Sequence, residues 1–293
     1  PAGLEAALAL AKRGYDVALA EAGAESGGRV ALESRLPGLS AWGRVRDYRD
    51  YQLSQLGNVE TYLNSELGAQ DVLDFGFDHV AIATGSTWRR DGVARQHVVP
   101  MEIDAGMAIY TPDDLMAGNV PGGDVVVYDD DHYYMGGVLA ELLVHNGAKV
   151  TLVTPSAYVS DWTNNTLEQA TIHKRLVEMG VTIQLNRGVM SIAGDHVVTD
   201  CVYTGQTATQ PATSVVLVTS RAMNDGVWRD LQTREADWAD VGIKSIKVIG
   251  DAQAPGPIAW ATYAGHRYAR ELDMPDIGDA LPFRREIAEL SPD

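Results

Sequence analysis

The sequence is poor in the residues that build covalent or metal-held frameworks. It has one cysteine, Cys201, in 293 residues. A single thiol excludes an internal disulfide, a cysteine zinc site or an iron–sulfur cluster held within these residues alone. Positive charge is also scarce, with 23 Lys and Arg against 40 Asp and Glu and a formal net charge of −17. Such a surface repels phosphate backbones and anionic lipid, which argues against nucleic acid or membrane as partners. No apolar run is long enough to span a bilayer and no basic leader precedes one, so a cytoplasmic location is expected. Aromatics make up only 7% of the chain, whereas hydrophobic residues reach 45%. That is enough for a sizeable core and a length of about two domains.

What is present begins at the first residue. Ala2 to Lys12 is rich in Ala and Leu, strong helix formers, and Gly14 stops the helix. Tyr15 to Ala20 reads as a strand closed by Glu21. Glycine turn, helix, strand and terminal acid make the second half of a dinucleotide-binding unit. Gly3 would let the helix pack tightly on a sheet, the helix N-terminus would receive a pyrophosphate, and Glu21 would bind ribose hydroxyls. The other glycines and the preceding strand of that fingerprint are missing, so the expectation is a chain that starts inside a longer one. After Glu21, the Gly27-Gly28 pair permits close backbone approach to a ligand and Arg29 can reach a phosphate.

Further along, the sequence predicts a helix over Trp42 to Leu56 and a strand over Asn58 to Leu63. Residues 78–85 read as an apolar strand ending in Ala83-Thr84-Gly85. Residues 86–123 read as a polar, Gly- and Pro-containing linker with a short helix at Pro112 to Met116. A second strand–helix–strand follows, with Asp124 to Tyr128, Met135 to Asn146 and Lys149 to Thr154. Its loop carries Asp129, Asp130, Asp131, Tyr133 and Tyr134 where a phosphate loop would carry glycines; only Gly136 and Gly137 fit. Carboxylates repel pyrophosphate and tyrosines fill its space, so this unit is expected to have lost an NAD(P)H. The alternative is that the acids hold a cation or dock a basic partner.

Asn165 is expected to cap a helix from Thr166 to Met179. Short strands follow near residues 181–186, 188–192, 196–199, 201–203 and 214–219, then a helix over Asp225 to Glu235. Ile246 to Ala252 is an apolar strand ending in Gly250-Asp251-Ala252, which places Asp251 for a flavin nucleotide's ribityl hydroxyls or phosphate-bound water. Gly256 to Leu272 follows as a helix. The candidate cofactor-binding residues are therefore Gly3, Glu21, Gly28, Arg29, Thr84, Gly85, Gly250 and Asp251. Trp42, Arg44 and Arg46 could pack near the adenine side or against another domain. His132, His145, His173 and His266 show no metal spacing, and no nucleophilic set stands out, so no catalytic residue is assigned.

Pro1 to Ala7, Glu21, Gly27-Gly28, Ala83 to Gly85 and Ile249 to Pro255 together resemble the C-terminal half of one family. This is the trimethylamine dehydrogenase, histamine dehydrogenase and 2,4-dienoyl-CoA reductase group. Its more particular segments are Leu36 to Leu39 with Trp42, Arg46 to Arg49, and Tyr133 to Met135 with Leu139 to Glu141. The resemblance implies an α/β fold of two Rossmann-like nucleotide-binding domains of the flavoprotein disulfide-reductase type. Residues 1–110 with 214–293 would form the FAD/ADP-binding domain, its first strand missing, and residues 111–213 the NAD(P)H-like one. It implies ADP or FAD in this part, with FMN, a 4Fe-4S cluster and the substrate site on an N-terminal barrel outside it. The Asp-rich loop resembles the amine dehydrogenase branch. The implied activity is oxidation or demethylation of a small methylated amine, such as a methylated amino acid or betaine, with electrons passed to an electron-transferring flavoprotein-like acceptor. A homodimer is expected, and no catalysis by these residues alone. The alternatives are an NAD(P)H-dependent enoyl or dienoyl reductase and a non-catalytic ADP-binding docking module.

Overall fold

The computed structural model describes residues 1–274 of the chain. The first stretch forms α1 (Ala2–Lys12), β1 (Val17–Ala20), α2 (Arg29–Glu33), α3 (Arg44–Ser54), β2 (Val59–Tyr62), α4 (Ala69–Phe75) and β3 (His79–Ile82). The middle opens with β4 (Ser86–Trp88), β5 (Glu102–Ile103), β6 (Ala108–Tyr110), α5 (Pro112–Met116), β7 (Asp124–Asp129), α6 (Met135–His145) and β8 (Lys149–Val153). It continues with α7 (Gln169–Glu178), β9 (Thr182–Gln184), β10 (Arg187–Ile192), β11 (His196–Cys201), β12 (Thr207–Pro211), β13 (Ser214–Val218) and β14 (Arg221–Met223). The last stretch adds α8 (Gly226–Thr233), α9 (Glu235–Trp238), β15 (Ser245–Val248) and α10 (Ile258–Glu271). The chain is α/β with parallel sheets, organised as two compact units. One comprises residues 1–31, 43–85 and 223–274; the other comprises residues 32–42 and 86–222.

In the first unit the parallel strands form two pairs, β1 with β2 and β15 with β3. Helix α1 is built from small residues because α10 lies directly on it. A Cβ on Gly265 of α10 would fall 2.2 Å from the carbonyl oxygen of Ala2. Ala2, Ala6, Ile249, Ala261 and Tyr268 close this contact as one buried cluster. A larger side chain at any of the three alanines would force the helices apart.

The second unit holds a five-stranded sheet in the order β6-β13-β7-β8-β9, every pairing parallel. Between its terminal aspartates β7 is apolar, Val125 to Val127 and Tyr128, because both its faces are covered. Val125 and Val127 pack with Leu139 and Leu143 of α6, while Val126 and Tyr128 pack with Val189 and Val197 of a second sheet. That sheet runs β12-β11-β10-β5, and its β10, β11 and β12 are antiparallel.

Several sequence expectations need correction. Residues 86–123 are not a plain linker but contain β4, β5 and β6 as well as the expected short helix. The strand expected at 201–203 is absent: β11 runs to Cys201, and a turn closed by the Gly205 N–H on the Cys201 carbonyl leads into β12. Asn165 does not cap α7. Its side chain donates to the Trp162 carbonyl at 3.0 Å, and Leu167 at φ +64° delays the helix to Gln169. The helix expected over 225–235 ends at Thr233, and the short α9 follows.

Candidate functional site

In the first unit, the sequence-chosen residues gather at strand ends beside the start of α1. A Cβ on Gly3 would lie 3.3 Å from Ala83, just past β3, and 3.7 Å from Leu19 of β1. A Cβ on Gly250, which has φ +63°, would lie 2.5 Å from that of Ala2. The first turn of α1 thus touches β1, the residue after β3, and the turn after β15. The carboxyl ends of parallel strands are where open α/β sheets bind ligands.

Glu21 follows β1 directly. Its N–H donates to the Tyr62 carbonyl at 2.8 Å, and its carboxylate accepts the Gly23 N–H at 2.9 Å. The loop beyond is held by the Asn64 N–H on the Gly23 carbonyl at 2.9 Å and from the α3 side. Ser26 donates its hydroxyl to Asp50 at 2.6 Å, and the stem of Arg46 lies against Gly27, whose φ is +99°. Arg46 also binds Glu25 at 2.9 Å and Asp47 at 2.9 Å. Gly28 follows at φ +51° with no atom within 4 Å of where a Cβ would sit. The tight turn therefore leaves one exposed glycine facing open space.

Next to it, Arg29 Nη1 meets Asp251 Oδ2 at 2.8 Å and the Gly256 carbonyl at 3.0 Å. The Gly256 N–H returns a bond to Asp251 Oδ1 at 3.2 Å. The Asp251 side chain is 6% exposed and that of Arg29 is 15% exposed, so this is a largely buried pair. Trp260 of α10 lays its indole against Gly256, where a Cβ would meet the ring at 2.5 Å, and stays 60% exposed. Thr84 donates its hydroxyl to the Asn224 carbonyl, and the Asn224 N–H binds the Gly85 carbonyl at 2.9 Å. The structure joins Arg29 to Asp251 and places Gly3 and Gly250 around the α1 start; Thr84 and Gly85 engage Asn224. A cleft of about 370 Å³, bordered by Trp228, Val248 and Gln253, lies in the same unit but includes none of the eight candidates. Sequence reasoning missed Gly256, Trp260 and the clamp residue Asp50. It singles out Arg46 for the adenine side or another domain, whereas the structure places its stem on Gly27, a contact with no local signature.

In the second unit, the Asp-rich loop is tied inward. Asp129 and Asp130 are fully buried. Asp129 Oδ1 accepts the His132 N–H at 3.0 Å, and Asp130 Oδ2 accepts the Gln96 N–H at 2.8 Å. His132 Nε2 lies 3.3 Å from Asp130 Oδ1, and the Asp131 carbonyl accepts from Arg95 at 3.1 Å. Burial pushes the Asp129 carboxyl up to about 6. Tyr133 stacks on Trp162 with centroids 4.9 Å apart, and Tyr134 donates its hydroxyl to Glu33 at 2.7 Å. Trp42 packs edge-on against Tyr134 at 4.4 Å, which is its place in the structure. Among the described residues no group of three or more His, Cys, Asp or Glu is arranged to hold a metal ion.

A family model described as the OYE-like second alpha/beta domain matches residues 110–207. The chain is 66% identical to the histamine dehydrogenase from Rhizobium sp. 4-9, with a TM-score of 0.95 over 100% of this chain and 45% of that one. It is 33% identical to the dimethylamine dehydrogenase of Hyphomicrobium sp., over 98% of this chain and 42% of that protein. The chain belongs to the trimethylamine dehydrogenase family. The same family likeness extends to the 6-hydroxypseudooxynicotine amine oxidase of Pseudomonas geniculata N1, 44% identical with a TM-score of 0.87 over 92% of this chain and 40% of that one. The chain spans less than half the length of these trimethylamine dehydrogenase-family relatives. No described helix is long and apolar enough to cross a membrane.

Proposed function

We propose that this chain is the nucleotide-binding part of an FMN and iron–sulfur oxidoreductase that dehydrogenates or demethylates an amine. Electrons would pass from it to a flavoprotein acceptor. The observation that carries the nucleotide reading is the open, positive-φ Gly28 beside a guanidinium fixed by Asp251. An exposed backbone turn next to an oriented cation suits a diphosphate, since both can approach its oxygens closely. The residues that would hold ADP or FAD are Gly3, Glu21, Gly28, Arg29, Thr84, Gly85, Gly250 and Asp251, with Glu21 on the ribose hydroxyls. The first unit would then be a Rossmann-like domain with the parallel pairs β1–β2 and β3–β15, and the second unit would be a second such domain that no longer takes NAD(P)H.

The redox reading rests on relatives named as amine dehydrogenases and an amine oxidase. An FMN would supply the two-electron acceptor for the amine, and with one cysteine in this chain the cluster's thiolates would come from outside these residues. The test is to denature the full-length protein and identify what is released. About one adenine nucleotide per chain beyond FMN is expected, lost together with Glu21→Gln and Gly28→Val. A full-length protein that releases no adenine nucleotide would overturn the reading.

A further inference from the structure

Helix α3 is mostly polar, yet one of its faces touches both sides of the candidate nucleotide site. Arg46, Arg49, Asp50 and Leu53 fall at i, i+3, i+4 and i+7, which places them on one side of the helix. Leu53 is buried with Leu4 and Leu8 of α1, and Arg49 meets Glu5 of α1 at 2.7 Å. These two residues fix α3 on the helix whose first turn borders the site. The other two grip the loop after β1. Arg46 Nη1 meets Glu25 at 2.9 Å, and Asp50 accepts the Ser26 hydroxyl on both of its oxygens at 2.6 Å. The Arg46 stem covers Gly27, where a Cβ would lie 2.9 Å from both Cγ and Cδ of the arginine. Three consecutive loop residues are held, and the fourth, Gly28, is left open.

The backbone of the gripped turn is used on one side only. The carbonyls of Gly27 and Gly28 accept the Val30 and Ala31 N–H groups at 3.3 and 3.0 Å. The N–H groups of Gly27 and Gly28 make no hydrogen bond among the described residues. Successive N–H groups left unbonded in a turn form a concavity that receives an anion. A Gly-Gly peptide has many conformations open to it, so something must hold the one with its N–H groups outward. We infer that α3 is the template of this turn, and that the Arg46 stem and Asp50 are positioning residues for the nucleotide's diphosphate. The inference rests on the nucleotide reading above and deepens it. Arg46 acts here through its carbon chain and not as a phosphate ligand. Its guanidinium is already met by Glu25 and Asp47 at 2.9 Å and lies 4.0 Å from Asp50. Arg29, oriented by Asp251, is left as the cation that faces the diphosphate.

The test is calorimetric titration of ADP into the full-length protein stripped of nucleotide. Arg46→Ala and Asp50→Ala should each bind about tenfold more weakly than wild type, because a turn in its competent shape about a tenth of the time lowers apparent affinity by that fraction. Arg46→Met keeps the stem and loses the charge, and Asp50→Asn keeps an oxygen for Ser26, so both should recover most of the affinity. Ser26→Ala added to Asp50→Ala should cost nothing further. Amide exchange at Val30 and Ala31 reads the turn without any ligand. It should speed up in Arg46→Ala and Asp50→Ala but not in Arg46→Met. Arg46→Ala that binds as tightly as wild type, Arg46→Met that binds as weakly as Arg46→Ala, or exchange equal in all forms would each overturn the inference. So would a lowered urea midpoint in the nucleotide-free Arg46→Ala protein with its affinity intact, the mark of a purely structural contact. Wild type that binds no ADP would overturn the nucleotide reading and this inference with it, an outcome distinct from variants that match a binding wild type.

Discussion

Asp129 should make the folded chain lose stability as pH rises through the mildly acidic range. Its carboxyl is fully buried, and no Arg or Lys bonds it among the described residues. The groups that face it are the His132 N–H and ring, the Asp130 carboxyl, the Asp131 N–H and Gly136 in the first turn of α6. Burial is the largest influence and, with the charge of Asp130, raises its pKa from 3.8 to about 6; the His132 and Asp131 N–H groups and the His132 ring oppose this. The sign follows from linkage. Below about pH 4 both states hold the proton. Between about 4 and 6 the unfolded chain releases it while the folded chain keeps it, so stability falls with rising pH, and above about 6 the loss is complete. Two pKa units correspond to roughly 3 kcal/mol. Urea unfolding of wild type and Asp129→Asn from pH 4.5 to 8 isolates the effect, because Asp113, raised by burial, and Asp91 and Asp114, both lowered, are common to both proteins. Wild type should lose roughly 2 kcal/mol more than Asp129→Asn across that range. Parallel curves would refute the reasoning.

Two further perturbations follow from packing and pairing. Gly265→Ala places a methyl 2.2 Å from the Ala2 carbonyl oxygen and should cost about 3 kcal/mol or more, read as a lowered thermal midpoint; an unchanged midpoint would show that α1 and α10 are not held this closely. Arg29→Ala strips the guanidinium from a carboxyl that is 6% exposed and should cost roughly 3 kcal/mol in urea unfolding, with adenine nucleotide content falling in parallel. Arg29→Lys should recover only part of either effect, since one ammonium cannot readily serve both Asp251 and the Gly256 carbonyl.

Much of the fold was legible because buried parallel strands write themselves as unbroken apolar runs. Strands β7, β8 and β13 are buried along nearly their whole lengths, and each stands out in the sequence for that reason. The helix α1 was legible because close contact with α10 demands alanines. By contrast β12, Thr207–Pro211, has a mostly exposed pattern and no alternation, so only its pairing with β11 makes it a strand. The start of α7 was misplaced because Leu167 adopts a left-handed φ that residue type does not suggest. In the candidate site, the individual residues were legible from loop chemistry but their joining was not. Arg29 and Asp251 lie 222 positions apart, and nothing local to either announces the other.

That pair explains why an aspartate after a strand can have opposite consequences within one chain. Asp251 follows β15 and meets a guanidinium, so its charge is offset and its oxygens fix both Arg29 and the Gly256 backbone. The glycine before Arg29 stays open as a result of geometry set elsewhere, by Arg46 on Gly27 and by Asp50 on Ser26. Asp129 closes β7 at the matching point of the second unit's strand–helix layout, but among the described residues no guanidinium bonds it. Desolvation then favours the protonated carboxyl, which can sit against Gly136 at little electrostatic cost. Supplying a cation there would reverse that balance by favouring the charged form. The difference between an open loop and a filled one therefore lies in which long-range partner each aspartate finds, and a short sequence window around either residue cannot contain it.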